Sequence, residues 1–365
     1  MPELWIPYGN VETLVTLQAE NLGAVAEGVA GEGATDFPRM SELAKEATML
    51  FVCDSAPPSI ELLKGIVPAL ADNQGIRLFS PAPRRLENSV PELKGRVTTL
   101  PPPLPPVEGD EPVYAQQLSD AGPKLFLGSA RPDPLFGIAD AKVGVCLDWV
   151  ARSQASAAKA AKGMEPRPLQ KTGAYEKVEE LTSKIGAAKF VTAIPRGGKL
   201  WTAMEDAPFD AIKSGFARTQ MSQTKGMVIG AGGRGYDDTL SSALRGVWSA
   251  IGGVRKTGSI LLIAECLEGV GSTALEMLVT GRIEAERRQG GYVDGLEEVF
   301  YLNRLKDEYD VLLLSGLPET YARSKLGLTT ARGSAEAVGR LLNKVGRAGK
   351  LNVVPRASEC IVETG

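Results

Sequence analysis

Histidine is absent from all 365 residues. The absence removes the one side chain whose unperturbed pKa lies near 6.5, so any general base working near neutral pH has to be a shifted Glu, Asp, Lys, Tyr or Cys. It also removes the commonest ligand of zinc, nickel and non-haem iron, and no metal site is expected. Cysteine is scarce. Cys53, Cys146, Cys266 and Cys360 are widely separated and form no CxxC pair. That spacing excludes a zinc ribbon and a disulfide framework, and it fits reduced thiols in a cytoplasm. No apolar run approaches the ~20 residues that cross a bilayer. Residues 1–9 carry neither the basic nor the apolar segment of a secretory leader. No excess of one charge exists either: 41 Lys and Arg stand against 44 Asp and Glu, for a net charge of −3. Without a polycationic stripe, neither nucleic acid nor membrane is an expected partner.

What remains is a globular profile, 43% hydrophobic and 23% charged, on a chain long enough for two domains. Leu4 to Ile6 and Val11 to Leu17 predict a hairpin around Pro7-Tyr8-Gly9-Asn10. Met49 to Cys53, a helix capped by Ser59, and Ile76 to Phe79 predict a β-α-β unit. The run Pro101-Pro102-Pro103-Leu104-Pro105-Pro106 excludes helix and inner strand, so residues 101–134 are expected as a stiff surface crossing. Val143 to Leu147 predicts a buried strand, Ala151 to Lys162 a helix, Tyr175 to Ile185 a helix, Lys189 to Ile194 a strand and Asp210 to Gln220 a helix. From Met227 apolar strands alternate with helices to Val354, including one expected at Ile283 to Arg288. This rhythm predicts a doubly wound, mostly parallel α/β sheet. The expected organisation is an N-terminal α/β domain over residues 1–222 and a Rossmann-like C-terminal domain over 223–365, with a cleft between them.

Gly230-Ala231-Gly232-Gly233-Arg234-Gly235 matches GxGxxG between a predicted strand and helix. Three readings stay open: a dinucleotide cradle, a tight turn, or an anion-binding loop. Glu265, the acid after the next strand, lies farther on than the ~20 residues of the dinucleotide fingerprint. Glu265-Cys266-Leu267-Glu268-Gly269-Val270-Gly271-Ser272 follows another apolar strand, on the side of the sheet where ligands bind.

These two blocks, with Ser242-Ala243-Leu244-Arg245-Gly246 and Leu351-Asn352-Val353-Val354-Pro355-Arg356, resemble the nickel-pincer lactate racemase family. In that family the first run continues through Asp to Gln and then to Lys, and its helix lines the substrate cleft. The resemblance implies substrate-binding roles for Gly232, Gly233, Asp237, Ser242, Arg245, Glu265, Gly271 and Ser272, with Ser242 at the Gln position and Arg245 at the Lys position. In the N-terminal part Asp54 and Pro58 fit the family's Asp-x-Thr-Arg-Pro, but Ala56 and Pro57 replace the Thr and Arg. The family's Glu-Pro-His-like turn and cofactor lysine are matched against Asp148-Trp149-Val150-Ala151 and Lys159, with Lys162 as a rival. Asp54 and Lys159 are thus the cofactor-binding candidates that the resemblance implies.

The family's proton-shuttling and nickel-binding histidines have no counterpart. Removing two general bases costs roughly 10²–10⁴ in rate each. The expectation is a lactate-racemase-like protein that has lost pincer racemisation, carries no cofactor and binds a small organic anion of hydroxy acid type in the cleft. Two alternatives remain. One is a 2-hydroxy acid racemase or epimerase that keeps the nickel-pincer nucleotide and uses Lys159, Glu265 or Tyr236 as substituted bases. The other is a scaffold subunit, with a homo-oligomer or another protein as partner and the Pro-rich run or the Arg282, Arg287, Arg288 cluster as contact surface.

Overall fold

A computed structural model describes residues 2–26, 33–100, 112–151, 168–282 and 295–365. Two six-stranded sheets organise them. The first runs in the order Lys199–Glu205, Ala188–Arg196, Lys124–Ser129, Met49–Val52, Arg77–Phe79, Val97–Thr98. All its pairings are parallel except the antiparallel one between Lys199–Glu205 and Ala188–Arg196. The second runs Thr329–Ala331, Asp310–Leu314, Val254–Ile263, Thr224–Gly230, Leu351–Val354, Leu22–Val25, and is parallel throughout.

Central strands of parallel sheets are covered on both faces and so are apolar nearly end to end. Met49–Val52 is buried at every position. One face of the first sheet, with Leu50, Val52, Leu125 and Leu127, packs on Met40, Leu62, Leu63 and Ile66 from the helices Phe37–Glu46 and Pro57–Asp72. On the other face one phenylalanine per strand forms a row across four strands: Phe190, Phe126, Phe51 and Phe79. Their ring centroids stack at 4.9, 4.7 and 5.0 Å, and Trp149 meets Phe51 edge-on.

Several sequence expectations need correction. Val143 to Leu147 is helical, within Ala141–Trp149, and Asp140 caps it by accepting the Val143 N–H at 3.0 Å. Short apolar runs do not distinguish a buried helix from a buried strand. The inner strand is Lys124–Ser129, within the stretch expected as a surface crossing, and all six residues are buried. The Pro101–Pro106 run, the Ala151 to Lys162 helix beyond Ala151, and the Ile283 to Arg288 helix lie outside the described residues. Ser59 is not a cap, because the helix starts at Pro57 behind Ala56. The helix expected over Asp210 to Gln220 ends at Gly215, and Ala217–Met221 instead pairs with Cys360–Thr364.

The hairpin Glu3–Tyr8 and Val11–Thr16 is present. It belongs with the second sheet rather than the first: Ile6, Val15 and Leu17 are buried against Val228, Leu261 and Val353. Leu22–Val25 is that sheet's edge strand. A boundary at residue 222 therefore does not separate the two sheets.

Asn352 holds this arrangement together. Its side chain accepts from Ala24 N–H at 2.9 Å and donates to the carbonyls of Ser222 and Gly253, both at 2.9 Å. Each bond contributes about 1 kcal/mol net, and removing one partner leaves buried groups unpaired. Asn352→Ala is expected to lower stability by about 3 kcal/mol in urea denaturation. A loss below ~1 kcal/mol contradicts this assignment.

Candidate functional site

From Met49–Val52 the first sheet grows one way through Arg77–Phe79 and Val97–Thr98, then the other way through Lys124–Ser129 and Ala188–Arg196. Where strand order reverses in an open parallel sheet, a crevice forms beyond the strand C-termini. A cavity of about 140 Å³ lies at that point, and Asp54, Ser129, Arg131, Asp140 and Tyr236 are among its lining residues. Tyr236 and Gly235 come from the loop after Thr224–Gly230, so the second sheet closes the cleft.

Two of the acids have structural duties. Asp54 Oδ2 accepts the Ser129 N–H at 2.6 Å and Oδ1 accepts the Ala56 N–H at 2.9 Å. This braces the turn after Met49–Val52 against the neighbouring strand. Asp140 accepts from Val143 N–H and from the Tyr175 hydroxyl at 2.7 Å. Burial pushes its carboxyl above the usual range, and those hydrogen bonds oppose the shift.

Arg131 differs from them. No ion pair or side-chain hydrogen bond is found for its guanidinium among the described residues. Burial and then repulsion from Arg245 pull its pKa down, while Asp133 and Asp54 oppose. Arginine keeps its proton in such surroundings, so the site holds an under-compensated cation. Tyr236 is 1% exposed and its hydroxyl has no hydrogen-bond partner among the described residues. Burial, then Glu359 and Asp54, push that phenol well up.

None of the described residues expected to bind substrate lines this cavity; Asp54, expected to bind cofactor, does. Arg245 sits in a neighbouring cavity of about 20 Å³ and is neutralised there. It pairs with Asp133 at 3.3 Å and Glu298 at 2.9 Å. Ser241 also donates to Glu298. Ser242 lies in the first helical turn, its amide donating to Thr239 Oγ1 at 3.2 Å. Asp237 Oδ2 accepts from Gly9 N–H at 2.8 Å and Glu265 N–H at 3.2 Å, latching the hairpin turn to the end of Val254–Ile263. The Glu265 side chain lies against Gly9. Burial, then Cys266, Glu265 and Asp237, push the nearby Tyr8 phenol up to about 12. Gly271 has φ +97° and lies against Thr239, where a Cβ would come within 2.7 Å. Ser272 caps Thr273–Val279.

The glycine loop is spoken for by the chain itself. Gly232 and Gly233 have positive φ, and a Cβ at Gly233 would come within 3.0 Å of Pro7. Arg234 N–H donates to Gly9 O, Gly235 N–H to Asp238, and the Tyr236 and Asp237 amides to Gly233 O. Arg356 donates to Gly232 O at 3.2 Å. The next helix, Leu240–Ala250, has its first amides taken by Gly269 O, Val270 O and Thr239. These contacts favour the tight-turn reading over a phosphate cradle, which needs outward-facing amides.

Lys159 and Lys162 lie outside the described residues. Asp148-Trp149 closes a helix and forms no turn after a strand; the buried strand Lys124–Ser129 is followed by the short strand Arg131–Asp133. Among the described residues no three Cys, Asp or Glu side chains converge as metal ligands. Cys266 is buried, and burial pushes its thiol up, which disfavours a thiolate nucleophile. Arg131 was missed because it lies in the stretch taken for a proline-rich crossing. The signal available was the apolar run Lys124–Ser129 just before it.

Two outcomes follow from this geometry. Arg245→Ala strands the buried carboxylates of Asp133 and Glu298 and is expected to cost about 3–5 kcal/mol by chemical denaturation; a cost under ~1 kcal/mol contradicts the buried pairing. Asp237→Asn keeps an acceptor for the two amides and removes a buried charge. The Asp237 pKa is raised in the fold, by burial first. Its contribution is therefore full below the unfolded value of 3.8 and is lost as pH rises through the folded value. The Asn variant should lose less stability than the parent as pH rises above about 4. Equal pH slopes contradict that.

No protein-family model matches this sequence, and no curated protein is significantly similar to it. Solved structures are similar in fold. The lactate racemase apoprotein from Thermoanaerobacterium thermosaccharolyticum superposes with a TM-score of 0.74 at 14% identity, over 99% of this chain and 100% of the other. A Thermotoga maritima protein from a structural genomics programme superposes with a TM-score of 0.62 at 11% identity, over 92% of this chain and 100% of its own. The chain has the two-sheet α/β fold of the lactate racemase apoprotein.

Proposed function

We propose that this chain binds a small organic anion of hydroxy acid type in the cleft between the sheets, and that it no longer carries out nickel-pincer racemisation. The observation that carries the reading is Arg131, a cation without an ion-pair partner among the described residues, at the switch point of the first sheet. A guanidinium binds carboxylate through two parallel hydrogen bonds, which suits an anion of this kind. The unpartnered Tyr236 hydroxyl offers a further donor from the facing sheet. The cavity of about 140 Å³ has room for several waters, and so for a few-carbon acid.

The loss of racemisation rests on chemistry. The chain has no imidazole to move the hydroxyl proton on either face or to ligate nickel. The described donor set does not fit a nickel-pincer nucleotide: Ala56 and Pro57 supply no phosphate-binding side chain, and the Asp54 carboxylate accepts hydrogen bonds rather than donating them to a phosphate. Of the substituted bases considered, Tyr236 alone lines the cavity among the described residues, and its raised pKa is unfavourable for a base near neutral pH. Arg245, first expected to grip the ligand, is better read as the internal partner of Asp133 and Glu298.

D-lactate, L-lactate and glycolate are expected to raise the melting temperature of the chain, and Arg131→Ala should remove the shift. An undiminished shift in that variant ends the reading. Neither lactate enantiomer should interconvert in chiral chromatography, and turnover above a heat-killed control contradicts the lost activity.

A further inference from the structure

We infer that the preferred ligand of this cleft carries a cationic group beside its carboxylate, making it a small zwitterion of the amino acid class. The inference rests on the anion-binding reading and adds the second end of the ligand. Arg131 and Asp54 line the same cavity, yet they form no ion pair with each other. Asp54 is close enough to oppose the fall in the Arg131 pKa, so the two charges face a shared space without meeting across it. A separated cation and anion on the walls of a cavity a few atoms wide complement a molecule whose own charges are separated by one or two bonds.

Asp54 has capacity left for such a group. Each of its oxygens accepts one backbone N–H, whereas an ionised carboxylate offers about four lone-pair sites. Asp140 lines the same cavity, with its carboxyl already engaged by the Val143 N–H and the Tyr175 hydroxyl. A hydroxyl facing Asp54 makes a hydrogen bond to which only the acceptor brings charge. An ammonium there makes one with charge on both sides, which is the stronger kind. A hydroxy acid also brings an uncompensated negative charge into a cleft whose lining acids outnumber its one arginine, while a zwitterion brings none.

Alanine, lactate and propionate differ only in bearing an ammonium, a hydroxyl or a hydrogen on the carbon beside the same carboxylate. Isothermal titration of the full chain with these three, both enantiomers where they exist, isolates the contribution of that group. Alanine is expected to bind about tenfold tighter than lactate, and lactate tighter than propionate. Asp54→Asn should bring alanine to the level of lactate. Should that variant fail to fold, the ligand series decides alone, since it leaves the protein unaltered. Lactate binding as tightly as alanine overturns the zwitterion inference and leaves the anion site standing. No binding by any of the three, or binding that survives Arg131→Ala, overturns both.

Discussion

Charge buried where two parallel sheets meet is the constraint that shapes this molecule. Strand C-termini of both sheets point toward a common zone, where Asp54 and Asp237 on loops, Arg131 and Asp133 on a short strand and Arg245 on the helix Leu240–Ala250 come together. A buried charge that lacks a partner costs several kcal/mol, so each of these has to be matched. Most are. Arg245 is held by Asp133 and Glu298, Asp237 by two amides, and Asp54 by two more. Arg85 adds a bridge from the first sheet's helix Pro83–Ser89 to Asp238 at 2.6 Å. Arg131 is the exception, and a functional account starts from that exception because unmatched polarity inside a cleft is what a ligand can satisfy.

The same zone explains why the glycine-rich loop does not behave as its motif suggests. Strand, glycines and helix come in the order that a dinucleotide fold uses. The N-terminal hairpin, however, lies over the loop, so Pro7 and Gly9 stand where a pyrophosphate would approach. Glycine is required there for close packing of backbone on backbone, and a Cβ at Gly235 would come within 2.7 Å of Ala56 Cα. The motif marks a tight junction between the sheets.

Much of the fold was legible in the residues. Apolar strands alternating with helices after Met227 gave the four central strands of the second sheet but neither edge strand, because a doubly covered parallel strand has little freedom in composition and an edge strand has more. The first sheet was harder. Val143 to Leu147 has the composition of a strand, yet its flanking Asp140 caps a helix. Lys124–Ser129 was hidden beside proline-rich sequence, and with it the position of Arg131. Pairing of the chain's first strands with its last is a long-range choice that no local pattern announces. The expected cleft between the sheets is present, but most of the described residues assigned to it serve junctions within the chain. Asp237, Glu265 and Arg245 are polar and close to strand ends, and sequence alone cannot tell a polar group that receives a ligand from one that receives the rest of the chain.

The most direct measurement is an experimental density map of the protein crystallised with a small carboxylate such as lactate or alanine. The account predicts the carboxylate oxygens within hydrogen-bonding distance of the Arg131 guanidinium and the Tyr236 hydroxyl. A carboxylate seated on Arg245 or on the Gly232-Gly233 loop, with Arg131 paired to an acid of the chain itself, would contradict it.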